Sequence, residues 1–374
     1  MRDGTTTAWR AYGPPVCSNS LLSSPSPQAD QDPVCSFLDD TSVAHLLRLS
    51  RSGPVHPVCL DSELTVKEGC MALADHKISS APVYDRSSGS FIGMLDYGDL
   101  VTYVLAVLHK VHFDEVFTPD SDWEITDIVK RALPDKDGVP IKLLSNISHK
   151  DPLVSFLGTT SGLEAVRAFS RSKLHRIVVL EEQEAGKPKT FIGVLSMSTV
   201  VAYVASHFGK LSGKMVPKPL WPKGEKTLEQ LGLVSPEKEL IYITVDDTVL
   251  TALSKMHEHK ISSVAIVNRG GEADELYGSI SMADIKEIFA VQGGWKSLYK
   301  EAFKFLCALR SQQGLDANGD DRVPSFTVSP TSTLLHAIEK IAATRAHRVW
   351  VVDARKAPIG VVSLSDVMNV IAKE

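Results

Sequence analysis

An α/β (α+β) fold made of four repeated β-α-β-β-α units is predicted by three observations in the sequence. A histidine-basic pair leading into an apolar run recurs as His76-Lys77-Ile78, His175-Arg176-Ile177, His259-Lys260-Ile261 and His347-Arg348-Val349. Each is followed by a glycine-bearing strand: GMLDYGD from Gly93, GVLSMST from Gly193, GSISMAD from Gly278 and GVVSLSD from Gly360. Each is preceded by one apolar stripe at helical spacing. The glycines lie 100, 85 and 82 residues apart, so the units keep their internal length and the linkers take up the difference.

Taken in order, the chain opens with Pro14, Pro15, Pro25, Pro27 and Pro33 among Ser, Asn, Gln and Asp. Such a stretch buries too little to offset its ordering entropy, and residues 1–50 are expected to form a disordered tail. First helices are expected around Val66, Cys70, Leu73; Leu163, Val166, Phe169; Leu250, Leu253, Met256; and Leu334, Ile338, Ile341. Central strands such as Ala81-Pro82-Val83-Tyr84 and Ile177-Val178-Val179-Leu180 are short and apolar, which suits a sheet covered by helices. Second helices run through Leu100, Val104, Leu108; Val200, Val204; Ile285, Ile288, Phe289; and Val367, Val370, Ile371. One unit alone has a marginal core, so units are expected to pair. The connector 211–236, with a short helix expected at Thr227–Leu231, divides a first half (51–210, units 57–110 and 150–210) from a second (237–374, units 237–292 and 322–374).

Composition narrows the function. Lys+Arg number 40 against 45 Asp+Glu, a net charge of −5, which argues against a broad nucleic-acid-binding face. No apolar run reaches the length of about 18 residues that a spanning helix needs, and the start has no signal-like apolar stretch. Cys17, Cys35, Cys59, Cys70 and Cys307 form no metal-like spacing and suit a reducing compartment. An intracellular protein without a membrane anchor is expected, in the cytoplasm and, as a further compartment, the nucleus. G-x-S-x-G, a Walker loop and GxGxxG are all missing, so catalysis has no visible seat. Asp316–Asp321 departs from a calcium loop at Asp321 and Thr327, and reads as a surface turn. His257-Glu258-His259 and His109/His112 lack a third ligand and read as helix-end or exposed histidines. No metal is expected.

The β-α-β-β-α unit with a strand-borne glycine and then S/T-x-x-D opening a helix resembles the cystathionine-β-synthase (CBS) domain. Two such domains form a Bateman module, and four in one chain resemble the gamma regulatory subunits of AMP-activated and sucrose-non-fermenting-type kinases. The segment Ser145–Val154, the Lys-Thr-Leu-Glu-Gln-Leu-Gly-Leu connector and the ending from Ala346 to Asp366 carry that second likeness, which spans about residues 57–374. It implies two Bateman modules in a disc, no catalysis, no required cofactor, and AMP, ADP or ATP as regulatory ligands. It also implies an alpha-type catalytic and a beta-type scaffold subunit as partners.

By the same resemblance, ribose hydroxyls would be held by Asp366, Asp284 and Asp99, helped by Ser363, Ser365 and Ser281, with Thr199 in the degenerate second unit. Phosphates would be held by His175, Arg176, His347 and Arg348. Arginine offers a fixed fork for phosphate oxygens, and histidine a donor whose charge depends on pH. Two alternatives stay open: S-x-x-D is also a capping box, and a His-Arg pair at a strand entrance also serves structure alone. His76-Lys77 and His259-Lys260, in the same register, are read as structural. Ser79 and Ser198 replace basic residues usual in the family, and each lost charge-assisted bond costs about 1.5–3 kcal/mol. Two other functions remain open: a stand-alone sensor of an adenosyl ligand, and a scaffold subunit with vestigial sites.

Overall fold

The computed structural model describes residues 32–50, 57–108, 138–172, 174–181, 190–209, 220–235, 239–269, 274–290, 294–312 and 326–373. Four three-stranded sheets are present, one in each predicted unit. In each, a short first strand pairs parallel with the central strand, and the last strand returns antiparallel. The central strands are Ser80–Asp85, Arg176–Glu181, Ser263–Asn268 and Arg348–Val352. Each sets its apolar residues against helices, which is why these strands lack polar alternation.

Every unit carries the same irregularity. Val83, Val179, Ile266 and Val351 pair with Gly93, Gly193, Gly278 and Gly360, and the register shifts directly after each. At Gly93 the need for glycine is steric: a Cβ there would sit 2.1 Å from Ser145 Oγ, on the linker that crosses this strand.

The first helices, Val66–Asp75, Gly162–Ser172, Val249–Glu258 and Leu334–Thr344, bury the predicted stripes. Thr65, Thr248 and Thr333 cap three of them by accepting a backbone N–H three residues on, which satisfies an otherwise orphaned donor. The same turns receive the linkers. Single bridges join Ser42 to Ser161, Thr65 to Pro140, Thr227 to Thr333 and Thr248 to Glu301. The linker before unit 1 therefore braces unit 2, and the linker before unit 2 braces unit 1. Units 3 and 4 exchange linkers in the same way.

Sheets join units 1 and 2, where Met94, Val178 and Phe191 share a small core and the Phe91 and Phe191 rings lie 5.3 Å apart. Units 3 and 4 meet where Leu276 N–H donates to Lys356 O, at 3.1 Å. Helices join the two halves: one buried core merges units 1 and 3, and a second merges units 2 and 4. The contacts thus close a cycle in the order 1, 2, 4, 3, with the entrances of the central strands converging on its middle.

Three expectations are corrected. Residues 33–50 are not tail but the helices Pro33–Asp39 and Val43–Ser50. Val34, Leu38, Val43, Leu46 and Leu47 are buried in the core of units 2 and 4. Their apolar spacing outweighs the polar composition of the stretch before them; residues 1–31 and 51–56 lie outside the described residues. The expected helix at Thr227–Leu231 is a single turn, because Gly232 adopts φ +65° and stops it; the helix lies earlier, at Pro222–Glu225. Finally, His76-Lys77 and His259-Lys260 are not in register with His175-Arg176 and His347-Arg348. Counted from the shared bulge, the positions of the two His-Arg pairs are filled in units 1 and 3 by Ser79-Ser80 and Ser262-Ser263. Lys77 and Lys260 instead match Arg345, each a left-handed residue ending a first helix (φ 53°, 53° and 54°).

Candidate functional site

The middle of the cycle carries His-Arg in the adjacent units 2 and 4 and Ser-Ser in the adjacent units 1 and 3. Each arginine reaches across the sheet contact to the serine of its neighbour. Arg176 Nη2 donates to Ser79 Oγ at 2.6 Å, and Arg348 Nη2 donates to Ser262 Oγ at 2.5 Å. The two are not otherwise alike. Arg176 Nη1 also donates to the buried Asp151 Oδ2 at 2.9 Å, whereas Arg348 answers a neutral hydroxyl, with Asp366 the nearby carboxylate that raises its pKa against burial. Burial brings Arg348 down to about 10.

His347 is open to water, yet surrounding protein first, and then Arg176, Arg348 and His175, push its pKa down to about 4. Burial also lowers His175, against the opposing pull of Asp151. The charged neighbours that act on His347 are the other three predicted phosphate residues, His175, Arg176 and Arg348. Lys150 joins them from the linker before unit 2. Its ammonium donates to Ile261 O at 3.2 Å and meets Met282 Sδ at 3.7 Å.

The predicted ribose carboxylates do not share one fate. Asp99 is consumed by its own chain: Oδ2 accepts Asp96 N–H and Oδ1 accepts Ser148 N–H, both at 2.9 Å. It is 2% exposed, and burial together with the Asp96 charge holds its pKa well above the usual carboxylate range. The linker thus fills the place a ligand would need in unit 1. Asp284 Oδ2 accepts from Ser281 N and Oγ at 2.8 and 2.9 Å. Asp366 Oδ2 accepts likewise from Ser363, at 2.8 and 2.6 Å. Both are capping boxes, so the capping reading holds for these turns. Thr199 N–H donates to Ser196 Oγ at 3.3 Å in unit 2. Ser365 turns away toward unit 2, with Oγ 3.8 Å from Met197 Sδ.

Capping does not close unit 4. Asp366 lines a cavity of about 290 Å³ together with Lys223, Lys226, Lys373 and Asn369. Leu231, Leu233 and Val370 supply apolar wall. Asp366, Asn369 and Val370 recur at helical spacing and so share one face of Leu364–Ala372, Lys373 follows as its C-cap, and the linker braced on unit 4 contributes the rest. Lys223 is anchored there, 3.2 Å from Asp32 Oδ2. The cavity is lined by a carboxylate residue, three lysines and an apolar wall, just under the usual size of about 300 Å³ and more for ligand pockets; the Lys223 ammonium also donates to Lys373 O.

The linker lysines Lys223 and Lys226, and Lys150 in the linker before unit 2, escape the sequence reading because linkers share no repeat pattern. Asp151, immediately before unit 2, escapes for the same reason. Among the described residues no group of three His, Cys, Asp or Glu could hold a metal ion, and His257 Nδ1 lies 3.2 Å from Thr102 Oγ1 instead. The Asp316–Asp321 turn and His109/His112 lie outside the described residues. No described helix is long and apolar enough to cross a membrane.

The CBS domain family model matches residues 50–106, 232–291 and 321–373; unit 2 lies outside these matches but repeats the same sheet. The chain is 28% identical over 305 residues to Protein SDS23 of Eremothecium gossypii, covering 79% of this chain and 57% of that protein. It is 27% identical over 336 residues to Protein SDS23 of Kluyveromyces lactis, covering 84% and 60%. The match therefore spans less than two thirds of either relative. Among solved structures, a Methanocaldococcus jannaschii protein described as a candidate archaeal homologue of gamma-AMPK superposes with a TM-score of 0.57 at 12% identity. It covers 88% of this chain and 99% of that one, and the likeness is one of fold. With four matching sheets, reciprocal linkers and this family match, the chain is a CBS-domain protein whose units pair as Bateman modules.

Proposed function

We propose that the chain is a non-catalytic regulatory protein that binds an adenine nucleotide (AMP, ADP or ATP) and passes the occupancy of its units to a partner. The observation carrying this is the unit 4 cavity, where Asp366, three lysines and an apolar wall converge. A nucleotide asks for those three things: an acceptor for ribose hydroxyls, cations for phosphates and an apolar slot for the base. Asp284 with Ser281 offers a second acceptor, in unit 3. Asp99 offers none, since Asp96 and Ser148 hold it.

The partner reading is a gamma-type subunit of an AMP-activated or sucrose-non-fermenting-type kinase, with alpha-type and beta-type subunits, in the cytoplasm and nucleus. The fold likeness to the M. jannaschii protein supports it. A second reading, a CBS sensor acting without a kinase, is favoured by relatives that carry the name Protein SDS23 and not that of a kinase subunit. In either case a nucleotide acts only through its differential affinity for two arrangements of the modules.

Titration of the intact chain with AMP, ADP and ATP, followed by Tm, tests the ligand. Stabilisation that rises with concentration and shrinks in Asp366→Ala supports it; no stabilisation by any of the three rejects it. Affinity purification from the native cell separates the partner readings: a co-purifying kinase catalytic subunit supports the first, and its lack the second.

A further inference from the structure

Lys150 stands in an environment that an ammonium does not ordinarily occupy. It leaves the linker before unit 2, passes Gly98 of unit 1, and ends against unit 3. A Cβ at Gly98 would lie 3.5 Å from Lys150 Cδ and 3.6 Å from Met282 Sδ, in ordinary contact, so the stem packs between Gly98 and Met282. Its two acceptors, the Ile261 carbonyl and the Met282 thioether, are both neutral. An enclosed ammonium on neutral acceptors keeps an unbalanced charge.

Charges of both signs surround it: Asp96 and Asp99 pull on it from unit 1, while Arg348 and Lys260 press on it from units 4 and 3. Both of those carboxylates are spent on the helix cap that they form together. Its field also reaches His175 and His257. Burial brings its pKa down to about 8 against the pull of those carboxylates. Ser79-Ser80 and Ser262-Ser263 leave units 1 and 3 without a strand-entrance cation.

We infer that Lys150 is the residue that grips the phosphate of a phosphorylated ligand at the centre, replacing from the linker the cation that Ser79 and Ser80 do not provide. Because Lys150 belongs to the first module and its acceptors to the second, phosphate held there ties the two modules together. The inference rests on the nucleotide reading for its ligand, but not for its anion chemistry.

Two measurements on the full chain test it separately. In calorimetry, Lys150→Met weakens AMP and ATP about tenfold to a hundredfold, the size of one charge-assisted bond, leaves adenosine unchanged, and Lys150→Arg recovers part of the loss. Equal weakening of adenosine, or undiminished AMP binding, overturns the role. The second measurement needs no variant: wild-type protein is acetylated with a water-soluble succinimidyl acetate and modification of each lysine is followed by mass spectrometry. Inorganic pyrophosphate slows acetylation of Lys150 but not of the exposed Lys77. If no nucleotide binds yet pyrophosphate protects Lys150, the nucleotide reading fails and the anion role stands. Failure of both pyrophosphate and AMP to protect Lys150 overturns the role.

Discussion

Arg176 and Asp151 form an enclosed ion pair, Nη1 to Oδ2 at 2.9 Å, with side chains 13% and 3% exposed. Asp151 Oδ1 also accepts the His175 N–H at 3.0 Å, so one carboxylate fixes both members of a His-Arg pair at the strand entrance. The other pair has no such anchor among the described residues. Arg176 is therefore paired with an enclosed carboxylate, whereas Arg348 is bonded to the neutral Ser262.

Removing Asp151 should expose that difference. Asp151→Ala leaves the Arg176 guanidinium enclosed and unpaired, and is expected to cost about 3–5 kcal/mol in urea unfolding. Ser262→Ala, which removes only a hydroxyl from Arg348, is expected to cost about 1 kcal/mol. Equal costs contradict that difference in pairing.

The acid limb of stability should report His347. Its folded pKa of about 4 lies below the ordinary 6.5, so as pH falls through 6.5 the unfolded chain takes up the proton first. Stability therefore rises with pH between roughly 4 and 6.5 on account of this group, and is lost as pH falls through that window. His347→Gln is expected to narrow the difference between urea midpoints measured at about pH 5 and pH 7.5. An unchanged difference contradicts an enclosed, neutral imidazole.

The N-terminal helices are part of the folded body. Leu38 is 0% exposed and lies in the core that merges units 2 and 4. Leu38→Ala is expected to lower stability by about 2–5 kcal/mol, measured by chemical denaturation. A change near zero would return this segment to the status of a tail.

The repeat was legible because every unit must solve the same problem: a central strand covered by two helices, closed by a bulge opposite one glycine. That recurrence carried sheet order, helix stripes and the S/T-x-x-D turns. It misplaced His76-Lys77 and His259-Lys260 because a basic residue also ends the first helix three positions earlier, as Lys77, Lys260 and Arg345 do. Chemistry alone could not tell a helix stop from a strand entrance; pairing to the glycine bulge could. The helices at Pro33–Asp39 and Val43–Ser50 were hidden by the proline-rich stretch before them. The capture of Asp99 by Ser148 and the cation at Lys150 depend on a linker folding back onto unit 1, which no local spacing records.

The account turns on Asp366 lining the unit 4 cavity while Asp99 is held by Asp96 and Ser148. Equilibrium dialysis of labelled AMP against the intact wild-type chain, Asp366→Ala and Asp99→Asn measures that directly. The account predicts binding to wild type, at least about a tenfold loss in Asp366→Ala, and wild-type affinity in Asp99→Asn. Binding that survives in Asp366→Ala but is lost in Asp99→Asn, or no binding to wild type at all, would contradict it.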